Sequence, residues 1–261
     1  MFNVGDEVQD LTKPNLMCIL DLFFNITEYV MAKVTWKSGT MLAPLPPALI
    51  SCGTTDKPNV MTAAWTGIVC TEPTLTYVSI RPSRYSNQLI RETKEFVINV
   101  PTVKLAKAVD LCGVKSGRQV DKFTLAKITP APCDKVSAPQ VLEAPISLEC
   151  RVKEIKSYGT HDMFLAEVVA VDIDDTYLNE AQALDLSKAG LLAYAHGFYY
   201  ALGKQIGKFG WSVEKKSTKR KRAARLQAAK AAPKRSTETA VRKSNNKSAA
   251  KRRKAGEYGR K

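Results

Sequence analysis

Ile146-Ser147-Leu148-Glu149-Cys150-Arg151-Val152-Lys153 alternates apolar and polar side chains without a break. Successive side chains of an extended chain point to opposite faces, so a period of two marks a strand with one face buried. Just beyond it, Tyr158-Gly159-Thr160 forms a turn into a second, Val-rich strand from Met163 to Ile173. Upstream, Phe96 to Val100 stops at Pro101, and Leu75 to Ile80 follows the break at Thr71-Glu72-Pro73. Val60 to Val69 reads as one long extended run of Ala, Trp, Thr and Val. Ala48 to Cys52 closes on Gly53 and the turn-forming residues from Thr54 to Asn59. Helices are few. Ser86 is placed to cap a short helix through Lys94, with Leu89 and Ile90 inward. Thr102 is placed to cap Val103 to Cys112, where Leu105, Val109 and Cys112 share a face. Strands and helices do not alternate regularly, which argues against a doubly wound parallel sheet. The predicted architecture is a closed, mostly antiparallel barrel with short helices over its ends.

Around this body lie segments of different character. The 261 residues are 44% hydrophobic and 25% charged, ordinary for a globular chain, with a formal net charge of +15. That charge is local. Residues 215–261 hold 19 Lys and Arg against 2 Glu, so the rest of the chain is slightly acidic. The tail carries Lys219-Arg220-Lys221-Arg222 and Lys251-Arg252-Arg253-Lys254 with a single aromatic, Tyr258. Such a segment has almost nothing to bury and reads as disordered. It is expected to bind polyanions nonspecifically, nucleic acid among them, or to act only as a solubilising tail. Residues 1–30 show no clean period, and one expectation is that Met31 is the native start. Three domains follow from this reading: an N-terminal extension over 1–30, a globular body over 31–214 and the basic tail over 215–261.

Other function classes are excluded by what is missing. The six cysteines at 18, 52, 70, 112, 133 and 150 form no CxxC and stand far from His161 and His196. No metal site is predicted from such spacing. Cys52 and Cys70, each inside an apolar run, read as small core residues of a reducing compartment. No apolar run approaches the ~20 residues of a membrane span, and the acidic N-terminus does not suit a signal peptide. The expected location is the cytoplasm, with no membrane partner. Neither GxGxxG, GxxxxGK[ST], HExxH nor GxSxG occurs. If the chain is an enzyme, a cofactor carries the reaction.

The chemically suggestive region runs from Asn59 to Ser86. Small residues at Thr62-Ala63-Ala64, then Trp65-Thr66-Gly67, let backbone approach a flat ligand. Arg81-Pro82-Ser83-Arg84-Tyr85-Ser86 leads into a helix start, where N–H groups, hydroxyls and guanidinium suit a phosphate. A flat ring with a phosphate describes FMN. The same residues equally describe a barrel core strand followed by a capped helix.

Seven segments resemble the flavin reductase-like, FMN-binding split-barrel family, with the flavoredoxin branch nearest. They are Pro44 to Gly53, Asn59 to Gly67, Arg84-Tyr85-Ser86, Glu95 to Val100, Ser116-Gly117-Arg118-Gln119-Val120-Asp121-Lys122-Phe123, Gly159-Thr160-His161-Asp162 and Tyr199 to Lys204. The resemblance spans Met31 to Val213. It implies a six-stranded antiparallel Greek-key split barrel, a homodimer with flavin near the subunit interface, and FMN as cofactor. It also implies NAD(P)H as electron donor to an NAD(P)H:flavin oxidoreductase whose acceptor is free flavin, a protein or a metal complex. Ala63, Ala64, Thr66 and Gly67 would line the isoalloxazine, Arg84, Ser86 and Ser83 would hold the phosphate, and Met61 and Thr62 complete the cofactor-binding set. His161 would be the catalytic residue on the nicotinamide side, although Thr160 stands where other members have Asp in a Gly-Asp-His pattern. That departure leaves two alternatives open: a flavoredoxin-type carrier not reduced directly by NAD(P)H, and for His161 a solvated turn residue. Trp65 reads as core, His196 as a packed helix-end residue, and Arg118 and Lys122 as solvated helix charges.

Overall fold

A computed structural model describes residues 33–215 together with 217, 218, 220 and 221. The expectations for residues 1–30, and for nearly all of the basic tail, lie outside the described residues. In chain order the elements are β1 (Ala48–Gly53), β2 (Pro58–Ala63), β3 (Thr66–Thr71), β4 (Thr74–Ile80), α1 (Tyr85–Thr93) and β5 (Glu95–Val100). A 3-10 turn, Val103–Leu105, then leads into α2 (Ala106–Val114) and α3 (Lys122–Ala126). Short β6 (Pro130–Ala131) and β7 (Gln140–Val141) precede the long hairpin β8 (Ile146–Tyr158) and β9 (His161–Ile173), and a last hairpin joins β10 (Leu192–Ala195) to β11 (Phe198–Ala201).

Seven strands form one sheet in the order β2-β1-β5-β8-β9-β4-β3, and every pair is antiparallel. The two edge strands, β2 and β3, are consecutive in sequence and separated only by Ala64 and Trp65. An edge can lead directly into the opposite edge only if the sheet curls round until they meet. The N–H of Ser79 on β4 donates to the Trp65 carbonyl at 2.8 Å, which extends the β3–β4 pairing up to the seam. The fold is thus the antiparallel split barrel expected, with one correction to the strand count. The run from Val60 to Val69 is not one strand: it breaks at Ala64-Trp65, because one stretch has to serve both edges. Counted once, it leaves six.

The barrel interior holds Ile50, Cys52, Val78, Ile80, Phe96, Cys150 and Phe164, all essentially without exposure. A second apolar layer lies outside β1 and β2, where Leu49 and Val60 pack against Val109 and Cys112 of α2 and Phe123 of α3. This explains why β1 is buried along its whole length. The supposedly wet face of β8 is also covered. Ser147 and Glu149 are fully buried while Ile146 and Leu148 beside them are only half-buried, because the segment around β6 and β7 packs over the polar pair. Both Ser147 and Glu149 are hydrogen-bonded. Glu149 accepts the N–H groups of Asp134 (3.0 Å), Lys135 (2.6 Å) and Val136 (3.0 Å). Asn99 donates to Leu49 O and Ser51 Oγ and accepts from Val141 N–H and Ser147 Oγ–H.

Helix ends differ from expectation as well. Arg84, not Ser86, occupies the cap position of α1 and makes no side-chain cap bond; Ser86 lies within the first turn. Thr102 makes no cap bond either. Asp121 is a true cap: its Oδ1 accepts the N–H groups of Phe123 and Thr124 at 3.0 and 3.3 Å. His196 is no helix-end residue. With Gly197 it forms the two-residue turn of the β10–β11 hairpin, both at positive φ (47° and 90°), as a tight primed turn requires. Among the described residues five cysteines are free; Cys52, Cys112 and Cys150 are buried, whereas Cys70 is half-buried and its thiol faces the Pro73 carbonyl at 3.0 Å. No helix among them is long and apolar enough to cross a membrane.

The chain divides into two compact units, Met1–Leu202 and Gly203–Lys261. The first holds every strand of the described residues. In the second, a 3-10 turn, Trp211–Val213, stands beside an ion pair between Lys208 and Glu214 at 3.8 Å.

Candidate functional site

At the seam of the barrel the end of β2, Met61 to Ala63, continues through Ala64 and Trp65 along one wall of a cavity of about 390 Å³. Gly113 and Val114 from the end of α2 and Tyr194 and Tyr199 from the last hairpin complete it. Such a volume suits a small organic ligand. The methyl groups of Ala63 and Ala64 leave the wall flat. Thr62 is partly committed: its hydroxyl donates to the Val109 carbonyl and ties β2 to α2. Tyr199 O–H reaches Asp110 Oδ1 at 3.5 Å, and burial followed by the Asp110 charge raises its pKa.

A second cavity, about 410 Å³, adjoins the first and shares Met61, Arg81 and Arg84 with it. Ser83, Ser86 and Lys122 border this one. Ser86 is buried, accepts the Asn59 Nδ2–H at 2.7 Å and is also within hydrogen-bond reach of the Cys52 thiol. The remaining wall is the loop after α2. Gly117 sits there so tightly that a Cβ would lie 2.0 Å from Asn59 Oδ1. Arg118 clips this loop to the start of α1, donating to Ser83 O (3.2 Å) and Gln88 Oε1 (3.1 Å) with its guanidinium 5.1 Å from the Tyr85 ring centroid. Lys122 is 5% exposed and donates to the Cys112 carbonyl at 3.0 Å. Desolvation lowers its pKa. Lys122 is thus not the solvated helix charge expected, whereas Arg118 is exposed as expected but stands in a turn, not a helix.

His161, the first residue of β9, borders the first cavity beside Trp65, the two ring centroids 4.4 Å apart at 44°. Trp65 is therefore a partly exposed wall residue, not core. Thr160 Oγ1 lies 2.9 Å from His161 Nδ1. Partial burial, then the Arg81 charge, lowers the His161 pKa from 6.5, so the ring is neutral at neutral pH. Its neighbour Asp162 is a buried junction, accepting from Ser157 (2.5 Å), Asn87 (2.9 Å) and Arg91 (2.9 Å). Burial alone would raise the Asp162 pKa; these donors outweigh it and hold it near 2. The junction locks the β8–β9 turn, which carries His161, to α1, which carries the Arg84–Ser86 end.

Of the residues proposed from sequence, the fold brings together Met61, Thr62, Ala63, Ala64, Ser83, Arg84, Ser86 and His161. Thr66 and Gly67 do not border either cavity. Past Trp65 the chain has joined β3, where Thr66 donates to Tyr77 O (2.5 Å) and Gly67 lies over the Tyr77 ring. Sequence reading missed Lys122, Asn59 and Asp162. The signal for Lys122 was its place directly after a capping Asp and before a core Phe, which pins its backbone against the body. No metal site was predicted, yet Cys133, Glu149 and Asp172 converge to within 4.8 Å under the segment around β6 and β7. There the Glu149 carboxylate is already taken by three N–H groups, and burial followed by the Glu149 charge raises the Asp172 pKa.

A family model described as the flavin reductase like domain matches residues 40–203. An uncharacterized protein of Archaeoglobus fulgidus is 39% identical over 136 residues, which cover 52% of this chain and 76% of the relative. One from Pyrococcus abyssi is 36% identical over 141 residues, covering 54% and 78%. Among solved structures, the flavoredoxin of Desulfovibrio vulgaris (Miyazaki F) is similar with a TM-score of 0.65 at 30% identity, covering 70% of this chain and 100% of that one. An FMN-binding protein from Thermus thermophilus is similar with a TM-score of 0.57 at 25% identity, covering 68% and 97%.

Proposed function

Because the chain belongs to the flavin reductase-like family, we propose that it is an FMN flavoprotein acting as an NAD(P)H-dependent oxidoreductase toward free flavin, a protein or a metal complex. One observation carries this reading: the small-residue wall at Ala63-Ala64 and the Arg84–Ser86 helix start border two adjoining cavities that share Met61, Arg81 and Arg84. A flat ring with an anionic side arm fits that pair. FMN bound there supplies the redox chemistry, accepting a hydride and releasing electrons. The protein's contribution is placement and exclusion of water. Met61 to Ala64 offer backbone and methyl groups to the ring. Ser83, Arg84 and Ser86 take the phosphate with charge-assisted hydrogen bonds. His161, neutral and steadied by Thr160, presents its remaining ring nitrogen to the donor's carboxamide, and Trp65 supports it from the side. Freshly purified protein should show flavin absorbance and release FMN on denaturation; colourless protein that takes up no added FMN would sink the proposal.

A second reading is favoured by Thr160 and by the likeness to a flavoredoxin. In it the protein carries electrons received from another protein. Anaerobic titration with NADH and with NADPH separates the two, since persistent flavin absorbance with both donors identifies the carrier. A homodimer is proposed in either case. Val114 borders the ring cavity yet is 70% exposed, as expected of a residue that a second copy covers. Light scattering should return twice the chain mass. Buried unpaired thiols at Cys52, Cys112 and Cys150 suit a cytoplasmic location.

A further inference from the structure

Arg81 is exposed, and among the described residues no ion pair or side-chain hydrogen bond includes its guanidinium. Its backbone is nevertheless fixed between β4 and α1. The Arg81 carbonyl accepts the Arg84 N–H at 3.0 Å, and the carbonyl of Ile80 before it accepts the Asn87 Nδ2–H at 3.2 Å. Pro82 further restricts the conformation of residue 81. The side chain thus leaves a firm base at the junction of the two cavities, both of which it borders. The charges around that junction do not balance. Arg81, Arg84, Lys115 and Lys122 border the cavities against one carboxylate, Asp110, whose Oδ1 faces the Tyr199 hydroxyl. A phosphate monoester carries close to two negative charges at neutral pH, so an anionic arm leaves about one positive charge over. Arg84 faces Lys122 at the anion end. Arg81 is felt elsewhere: partial burial and then the Arg81 charge lower the pKa of His161, which borders the first cavity. The surplus charge lies on the ring side.

We propose that Arg81 sets the redox balance of the bound flavin, its uncommitted guanidinium favouring the reduced ring, which carries one negative charge more than the oxidised ring. The inference rests on the proposed FMN site but not on the identity of the electron donor. A hydride carries two electrons and one proton. NAD(P)H that gives one up leaves as NAD(P)+, and the ring gains a negative charge that is lost only when N1 takes a proton from water. A fixed cation beside the ring stabilises that charge more in a site that excludes water than in bulk, and needs no reorganisation when the charge arrives. Charge near the ring is one of the levers a protein has on a flavin. The role differs from that of a phosphate ligand. Reduction leaves the phosphate charge unchanged, so a phosphate ligand stabilises both oxidation states alike.

The test measures midpoint potentials of FMN-loaded wild type, Arg81→Gln and Arg81→Lys by anaerobic dithionite reduction against an indicator dye. In Arg81→Gln the affinity for reduced relative to oxidised FMN should fall about 10-fold, which lowers the two-electron potential by about 30 mV. Arg81→Lys should keep most of the wild-type value, and the gap between wild type and Arg81→Gln should narrow in high salt. Affinity for oxidised FMN relative to riboflavin should stay within about 2-fold. An unchanged potential overturns the inference; if the FMN-to-riboflavin ratio falls instead, Arg81 is a phosphate ligand. His161 supplies a readout that needs no flavin. The chain has two histidines, so its titration can be followed by NMR. In Arg81→Gln the His161 pKa should rise toward 6.5. A titration identical to wild type places the guanidinium away from the ring side and also overturns the inference. Wild type that takes up no FMN refutes the FMN reading and this inference with it, whereas loaded wild type with unshifted variants refutes the inference alone.

Discussion

Asp162 concentrates several demands on one carboxylate. Three donors converge on it at 3% exposure, and its pKa lies near 2 against an ordinary 3.8. A lowered folded-state pKa means that the charged form contributes stability above the unfolded value and that this contribution is lost as pH falls through the folded one. Urea midpoints of wild type should therefore drop between pH 4 and pH 2. Asp162→Asn should lose about 2 kcal/mol at neutral pH, since Arg91 would face an amide, and its acid limb should be flatter. His161 shifts stability in the same direction. Its folded pKa lies below 6.5, so acidification charges it at a cost to the folded state. His161→Leu should leave flavin content intact and lower kcat/KM for NAD(P)H about 10-fold, the value of one hydrogen bond to the donor. An unaltered kcat/KM would return His161 to the status of a turn residue.

Strands and turns set where those residues stand. The β1–β2 turn pivots on Gly53, at φ +85° with an added Cβ only 2.4 Å from the Lys57 carbonyl. Gly53→Ala combines backbone strain with a backbone clash and is expected to cost about 2–3 kcal/mol, read as a lower melting temperature. β2 carries Met61 to Ala63 of the proposed flavin site, so flavin affinity should weaken with it. β8 offers an independent check away from the site. Glu149→Gln places an amide against three N–H donors and should destabilise by about 3 kcal/mol without changing the FMN-to-riboflavin affinity ratio. A change in that ratio would mean that the segment around β6 and β7 communicates with the cavity.

At the scale of the whole molecule, charge and fold are separated along the chain. The basic residues of 215–261 contrast with a slightly acidic remainder, and every strand of the described residues lies within Met1–Leu202. Truncation after Val213 should keep flavin binding and abolish retention on an immobilised polyanion, a retention that in the full chain falls steeply with salt. Loss of flavin from the truncated protein would show that the two are coupled.

The antiparallel β character, the turn at residues 158–160 and the cluster of small residues before an Arg/Ser loop were legible in the sequence, because alternation, glycine and hydroxyl chemistry act over a few neighbouring positions. Local signals cannot say what packs on a strand from afar. Hence Ser147 and Glu149 read as wet when the segment around β6 and β7 covers them, and Val60 to Val69 read as one strand when the closing sheet divides it at Trp65. Lys122 is the sharpest case. Its sequence neighbours mark a helix start, and only the meeting of β1, β2, α1 and α2 around it buries the ammonium beside Arg84 and Ser86. Composition and period determined the kind of fold; long-range burial, which sets the cost of every buried charge, decided the site.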